Sequence, residues 1–217
     1  DNVYMKTVKG PLKVDCIYRR LDDSFLDPKV FNKDSLIGVP GLFKCWLKKN
    51  VGILNAIGTG VADDKVVYSY VNKMITYYLG EQPLLNQVET YLCHEEDQKK
   101  YVLENLSKLV VKPANASGGY GLMIGPKAPK KEIEEVRQKI LKNPREFIAQ
   151  PLEVLSTGPT ITNNNIEPRH VDLRPFVLTG KSNYVTSGGL TRVALRKGST
   201  IVNSSQGGGS KDTLIVG

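Results

Sequence analysis

Residues 109–125 read LVVKPANASGGYGLMIG, and this stretch decides the fold. The apolar run Leu109–Val111 has strand character, delivers Lys112, and is stopped by Pro113. A Ser-Gly-Gly-Tyr-Gly loop follows (Ser117, Gly118, Gly119, Tyr120, Gly121), and Leu122–Ile124 returns as a second strand. The pattern is a hairpin whose loop can close over a phosphate. Three glycines let backbone N–H groups approach an anion without a Cβ in the way. Lys112 supplies a point charge beside them. An ordinary hairpin with a glycine-rich turn satisfies the same local pattern.

Outward from this segment, the chain is long enough for a good core. It has 217 residues, 40% hydrophobic and 24% charged, which is ordinary for a globular protein. No apolar run reaches the ~18 residues of a membrane span. Three widely spaced cysteines (Cys16, Cys45, Cys93) argue against a disulfide framework and against zinc, and a reducing, cytoplasmic compartment is expected. Two histidines, His94 and His170, exclude a His-rich metal site. The net charge of +8 favours an anionic partner. No dense Lys/Arg tract interleaved with aromatics is present, so a nucleotide is expected rather than a nucleic acid. The basic cluster Lys127–Lys131 instead enters an amphipathic helix with interspersed acids.

The remaining pattern alternates short strands and helices without a βαβ repeat, which predicts α+β with mixed sheets. Two strands broken at Gly10-Pro11 open the chain, and a helix spans Gly41–Asn50. Asp63 and Asp64 can cap one long helix running to about Tyr78. A short β piece at Thr90–Leu92 precedes a helix over about 95–107. A helix over 130–142 follows the hairpin, closed by Asn143-Pro144. Strands are predicted at Phe147–Gln150, Glu153–Leu155, Val171–Leu178, Leu190–Leu195 and Thr200–Asn203. Residues 156–168 and the Gly-rich stretch after Asn203 read as loop.

Several residues have the chemistry of an anion site. Lys65 follows two acids at a helix start, and with Lys112 it can hold a polyphosphate from two sides. Its plain alternative is a helix-surface lysine. The connector Phe147–Leu152 can hold an adenine between aliphatic side chains and offer backbone groups to its edge. It also reads as a core strand leaving its sheet. His170, Asp172 and Arg174 alternate with apolar residues and share one strand face. Arg192, on another strand, can join them in a phosphate or carboxylate site or in a cross-strand salt bridge.

Seven ordered segments resemble the circularly permuted ATP-grasp proteins of the glutathionylspermidine-synthetase group. They are VDCIYRRLDDSFLDP, IGTGVADDK, LVVKPANASGGYG, FIAQPL, RHVDLRPFVL, GGLTRVAL and VNSSQGGG, and they span nearly the whole chain. The resemblance implies an α+β, circularly permuted ATP-grasp fold with a Gly-rich hairpin lid. Residues 1–107 would contribute the first phosphate lysine, and 108–217 the lid and the ATP-binding sheet. It implies an ATP-dependent carboxylate–amine ligase working through an acyl phosphate. ATP and Mg2+ would be its cofactors, and a small-molecule or peptide carboxylate and an amine its substrates. A nucleotide-binding module or phosphotransferase is the alternative.

By position, Lys65 and Lys112 match the phosphate lysines and Ser117, Gly118, Gly119, Tyr120 and Gly121 the lid. Gln150 and Leu152 match the adenine connector, and Asn203 the nucleotide site. Arg192, with Arg174, matches the group that stabilises the transferred phosphoryl. The Glu-x-Asn magnesium pair of such enzymes is not found in the sequence, because Asn203 is preceded two residues earlier by Ile201. The chain is therefore expected to be the carboxy-terminal part of a longer enzyme, with the metal ligands supplied elsewhere.

Overall fold

A computed structural model of the chain describes residues 2–116, 121–162, 164–203 and 207–213. The chain divides into two compact units, Asp1–Gln82 and Pro83–Gly217.

The first unit begins with the antiparallel hairpin β1 (Val3–Thr7) and β2 (Gly10–Val14). Gly10 turns at φ 106°, a conformation that a side chain would disfavour. The strand β3 (Cys16–Tyr18) pairs in parallel with β4 (Gly52–Leu54), and the connection between them carries α1 (Asp23–Leu26) and α2 (Leu42–Leu47). Leu26, Leu42, Val51 and Ile53 form the core beneath. Asp27, fully buried, ties this connection together. Its carboxylate accepts from the backbone N–H groups of Gly41, Phe43 and Lys29 at 2.9–3.0 Å. Burial pushes this carboxyl up, but the three N–H donors outweigh it and hold it below the usual range.

The long helix predicted from Asp63 to Tyr78 is two helices. A 3-10 turn (Thr59–Asp63) leads into α3 (Lys65–Ser69), and α4 (Val71–Leu79) follows after Tyr70. Asp64 caps α3 through Val66 N–H at 2.8 Å, as the sequence predicts. The break follows from local competition. The Ser69 hydroxyl bonds the Val66 carbonyl at 2.7 Å, and β-branched Val66, Val67 and Val71 crowd the turn.

The second unit holds two four-stranded antiparallel sheets. The first has the order β5 (Tyr91–Leu92), β8 (Phe147–Pro151), β6 (Leu109–Pro113), β7 (Met123–Ile124). Helices α5 (Glu96–Asn105) and α6 (Lys130–Lys142) cover one face. Strand alternation explains the layering. Cys93, Leu109, Val111, Met123 and Ala149 point into a core completed by Val102, Leu106, Val136 and Ile140. Each large aliphatic side chain buried there contributes about 1.5–3 kcal/mol. Burial also raises the Cys93 thiol to about 12, so it behaves as a small apolar residue.

The second sheet has the order β12 (Gly208–Lys211), β11 (Asn183–Ala194), β10 (Asn165–Thr179), β9 (Thr157–Thr162). Within the stretch read as loop, 157–162 and 165–168 are therefore strand. The β-branched residues of Thr157–Thr162 pair with β10 from Asn165 onward, and Asn164 turns the hairpin at φ 64°, which asparagine tolerates. The Gly-rich tail is also a strand in part. Gly208 and Gly209 pair with Ala194 and Val193, where a Cβ on Gly208 would stand 2.1 Å from the Val202 carbonyl oxygen. Glycine here permits a close backbone approach rather than a flexible end. Glu153–Leu155 and Thr200–Asn203 are not strands.

The predicted hairpin at 109–125 forms, with Val110 opposite Ile124 and Val111 opposite Met123. Gly121 closes its base at φ 70°, and a Cβ there would meet Pro113 Cγ at 2.9 Å. The lid residues Ser117, Gly118, Gly119 and Tyr120 lie outside the described residues.

Candidate functional site

In the first sheet of the second unit, the face opposite the helices carries a chain of polar side chains. The strand β8 is central. On one side Val110 of β6 stands directly opposite Gln150, and on the other the register Tyr91 to Ala149 brings Thr90 alongside Gln150. Lys112, two residues beyond Val110, lies diagonally across on the same face. Its ammonium donates to Gln150 Oε1 at 2.6 Å. Gln150 Nε2 in turn donates to Thr90 Oγ1 at 2.8 Å, and that hydroxyl donates to the Val88 carbonyl at 3.0 Å.

The second sheet supplies the other charged wall. Asp172 and Arg192 are direct cross-strand partners on β10 and β11, and Arg174 shares their face. Arg192 Nε donates to Asp172 Oδ1 at 2.8 Å, and Nη2 reaches Oδ2. This bidentate bond holds the Asp172 carboxyl below its usual range, against a smaller effect of burial, and raises the Arg192 guanidinium. His170 is taken up by structure, with Nδ1 2.7 Å from the Leu155 carbonyl. Arg169, which carries no predicted role, is buried and satisfied by carbonyls of Leu195 and Pro168 and by Glu167.

A cleft of about 460 Å³ runs along these walls. It brings together Lys112, Gln150, Leu152, Arg174, Arg192 and Asn203, all predicted from sequence. Val110, Leu122, Ile124, Leu152 and Ile201 give it an apolar side, and Glu153 is the acidic residue on its wall. Three cations beside an apolar surface suit a ligand with both a flat apolar part and a polyanionic part. Lys65 stands in the first unit, at the start of α3. Burial lowers its ammonium, and Asp64 and Asp63 oppose that. Thr90 and the Val88 carbonyl were not among the sequence candidates. No motif marks them, since only the β5–β8 register places them beside Gln150.

Among the described residues, no cluster of three or more His, Cys, Asp or Glu side chains could hold a metal ion. Glu153 is the one carboxylate lining the cleft among the described residues, and Asp172 in the second sheet's wall is committed to Arg192. The described donors therefore do not fit a magnesium ion. No described helix is long and apolar enough to cross a membrane.

The second unit thus brings a lysine at the end of β6 and two arginines on the adjacent strands β10 and β11 to one cleft. The model for circularly permuted ATP-grasp type 2 matches residues 1–194, and the chain belongs to that family. It is 57% identical over 98% of its length to an uncharacterized protein of Synechocystis, covering 44% of that protein. It is 52% identical over its full length to an uncharacterized protein of Mycobacterium tuberculosis, covering 39% of it. A Frankia casuarinae protein named "Putative glutamate--cysteine ligase 2-2" is 49% identical over 99% of the chain, covering 25% of that protein. The chain thus spans less than half the length of these relatives.

Proposed function

We propose that the cleft of the second unit binds ATP and that the chain serves an ATP-dependent carboxylate–amine ligase. The observation that carries this reading is the convergence of Lys112, Arg174, Arg192, Gln150 and Asn203 on one cleft with an apolar side. Family membership and the ligase name of the Frankia relative support it. In the proposed reaction a substrate carboxylate oxygen attacks the γ-phosphorus of ATP, the bond to the β-phosphate oxygen breaks, and ADP leaves. An amine then attacks the acyl phosphate, and inorganic phosphate leaves as the amide forms. The glutathionylspermidine-synthetase group is the proposed analogue for this chemistry.

Each residue has a physical task in this scheme. Lys112 sets a positive charge against the phosphates. Arg192, oriented by Asp172, and Arg174 stabilise charge on the transferred phosphoryl, since phosphoryl transfer depends on positioning and electrostatics. Leu152 and the connector hold the base. The family resemblance assigns Ser117, Gly118, Gly119, Tyr120 and Gly121 to a phosphate lid in this scheme. Magnesium would be held by groups other than those described.

Calorimetric titration of the chain with ATP, with and without magnesium, tests the reading. Binding is expected, and Lys112→Ala should weaken it about ten-fold or more, the loss of a charged hydrogen bond worth ~1.5–3 kcal/mol. No ATP binding by the chain, or an unchanged affinity in the variant, would overturn the site assignment.

A further inference from the structure

Gln150 is nearly buried, and both ends of its side-chain amide are occupied within the protein. Donor and acceptor inventory fixes which end is which. The Lys112 ammonium can only donate, so the group facing it must be Oε1. The Thr90 hydroxyl spends its proton on the Val88 carbonyl, so towards Gln150 it can only accept, which places Nε2 there. The three bonds run in one direction, ammonium to amide to hydroxyl to carbonyl, and each polarises the next.

We propose that Thr90 is a positioning residue of the nucleotide cleft, acting on Lys112 through the Gln150 amide. The inference rests on the ATP reading for its ligand but not for its geometry. Without the hydroxyl, Nε2 loses its acceptor in a nearly buried position, and the amide is released to rotate. In the rotated state it sets N–H groups against an ammonium that can only donate. Lys112 then loses the amide acceptor that aims its ammonium along this face. Gln150 accordingly orients a phosphate ligand with its side chain, while its backbone remains part of the connector.

Thr90→Val keeps the shape and removes the hydroxyl, and Thr90→Ser keeps the hydroxyl. ATP affinity by calorimetry should fall about three- to ten-fold in Thr90→Val and stay within about two-fold of the unmodified chain in Thr90→Ser. In a Lys112→Ala background, Thr90→Val should have no further effect, which a purely structural role would not produce. Equal affinity in Thr90→Val, equal loss in Thr90→Ser, or a full additive loss in the Lys112→Ala background would overturn the proposal. Absence of ATP binding by the unmodified chain would count against the ATP reading instead. The relay is then read without ligand by nuclear magnetic resonance. Slower water exchange of the Gln150 amide and Lys112 ammonium hydrogens in the unmodified chain and Thr90→Ser than in Thr90→Val supports it, and equal rates overturn it.

Discussion

Asp172 and Arg192 face each other directly across β10 and β11 and meet through a two-pronged hydrogen bond. The carboxylate takes Nε and Nη2 of the guanidinium, which fixes the plane of the arginine on the cleft wall while its other N–H groups make no hydrogen bond among the described residues. An arginine held this way is ready for a second anion without further loss of side-chain freedom.

Asp172→Asn should therefore damage the proposed reaction more than the fold. The amide cannot accept both prongs, so Arg192 loses its set orientation. In an amide-forming assay of the protein, turnover should fall about ten-fold or more, while denaturant unfolding shows a loss of about 1–2 kcal/mol. A large stability loss with unchanged turnover would assign the pair to structure alone.

Arg174 makes the contrasting case. It lies on the same face but is exposed, with no hydrogen bond or ion pair among the described residues. Arg174→Ala should leave stability within about 0.5 kcal/mol and lower ATP affinity or turnover several-fold. Turnover and affinity equal to those of the unmodified protein would remove Arg174 from the site.

Asp27 should matter only to stability. Its carboxylate is fully buried and satisfies three backbone donors. Asp27→Ala strands those N–H groups and should cost about 3 kcal/mol or more in denaturant unfolding. Unaltered stability would mean that the loop relaxes to find other acceptors.

The depressed carboxyls of Asp27 and Asp172 contribute to the pH response, alongside the more exposed Asp22 and Glu167. Asp27 and Asp172 lie below the values they take in the unfolded chain. Their contribution is therefore full above the ordinary Asp range near ~4 and is lost as pH falls through the folded values. Melting temperature should drop as pH falls below about 4, and Asp172→Asn should flatten part of that fall. An equally steep fall in that variant would place the acid lability elsewhere.

Gly208 should resist substitution because its backbone packs on the Val202 carbonyl. Gly208→Ala requires β12 and the Val202–Asn203 backbone to move apart and should destabilise the protein by about 1–3 kcal/mol. Proteolysis near residue 208 is a direct readout, and an unaltered cleavage pattern would show that β12 tolerates the extra atom.

The local patterns were legible where physics is local. The hairpin at 109–125, the helix over 130–142, the strand at Phe147–Gln150 and the Asp64 cap follow from period, proline and capping chemistry, and the structure has them. The amino-acid order also carried the family, because seven spaced motifs are a property of sequence alone. Tertiary structure decided what depends on register. It made strands of 157–162 and 208–211, since pairing with the long strands β10 and β11 outweighs the loop-like propensity of Gly, Pro and Asn. It chose Asp172 as the partner of Arg192, and it set Thr90 beside Gln150 across 60 residues. Side chains that meet only through antiparallel pairing leave no spacing signal in the chain, because the register that joins them is fixed by the core on the opposite face of the sheet.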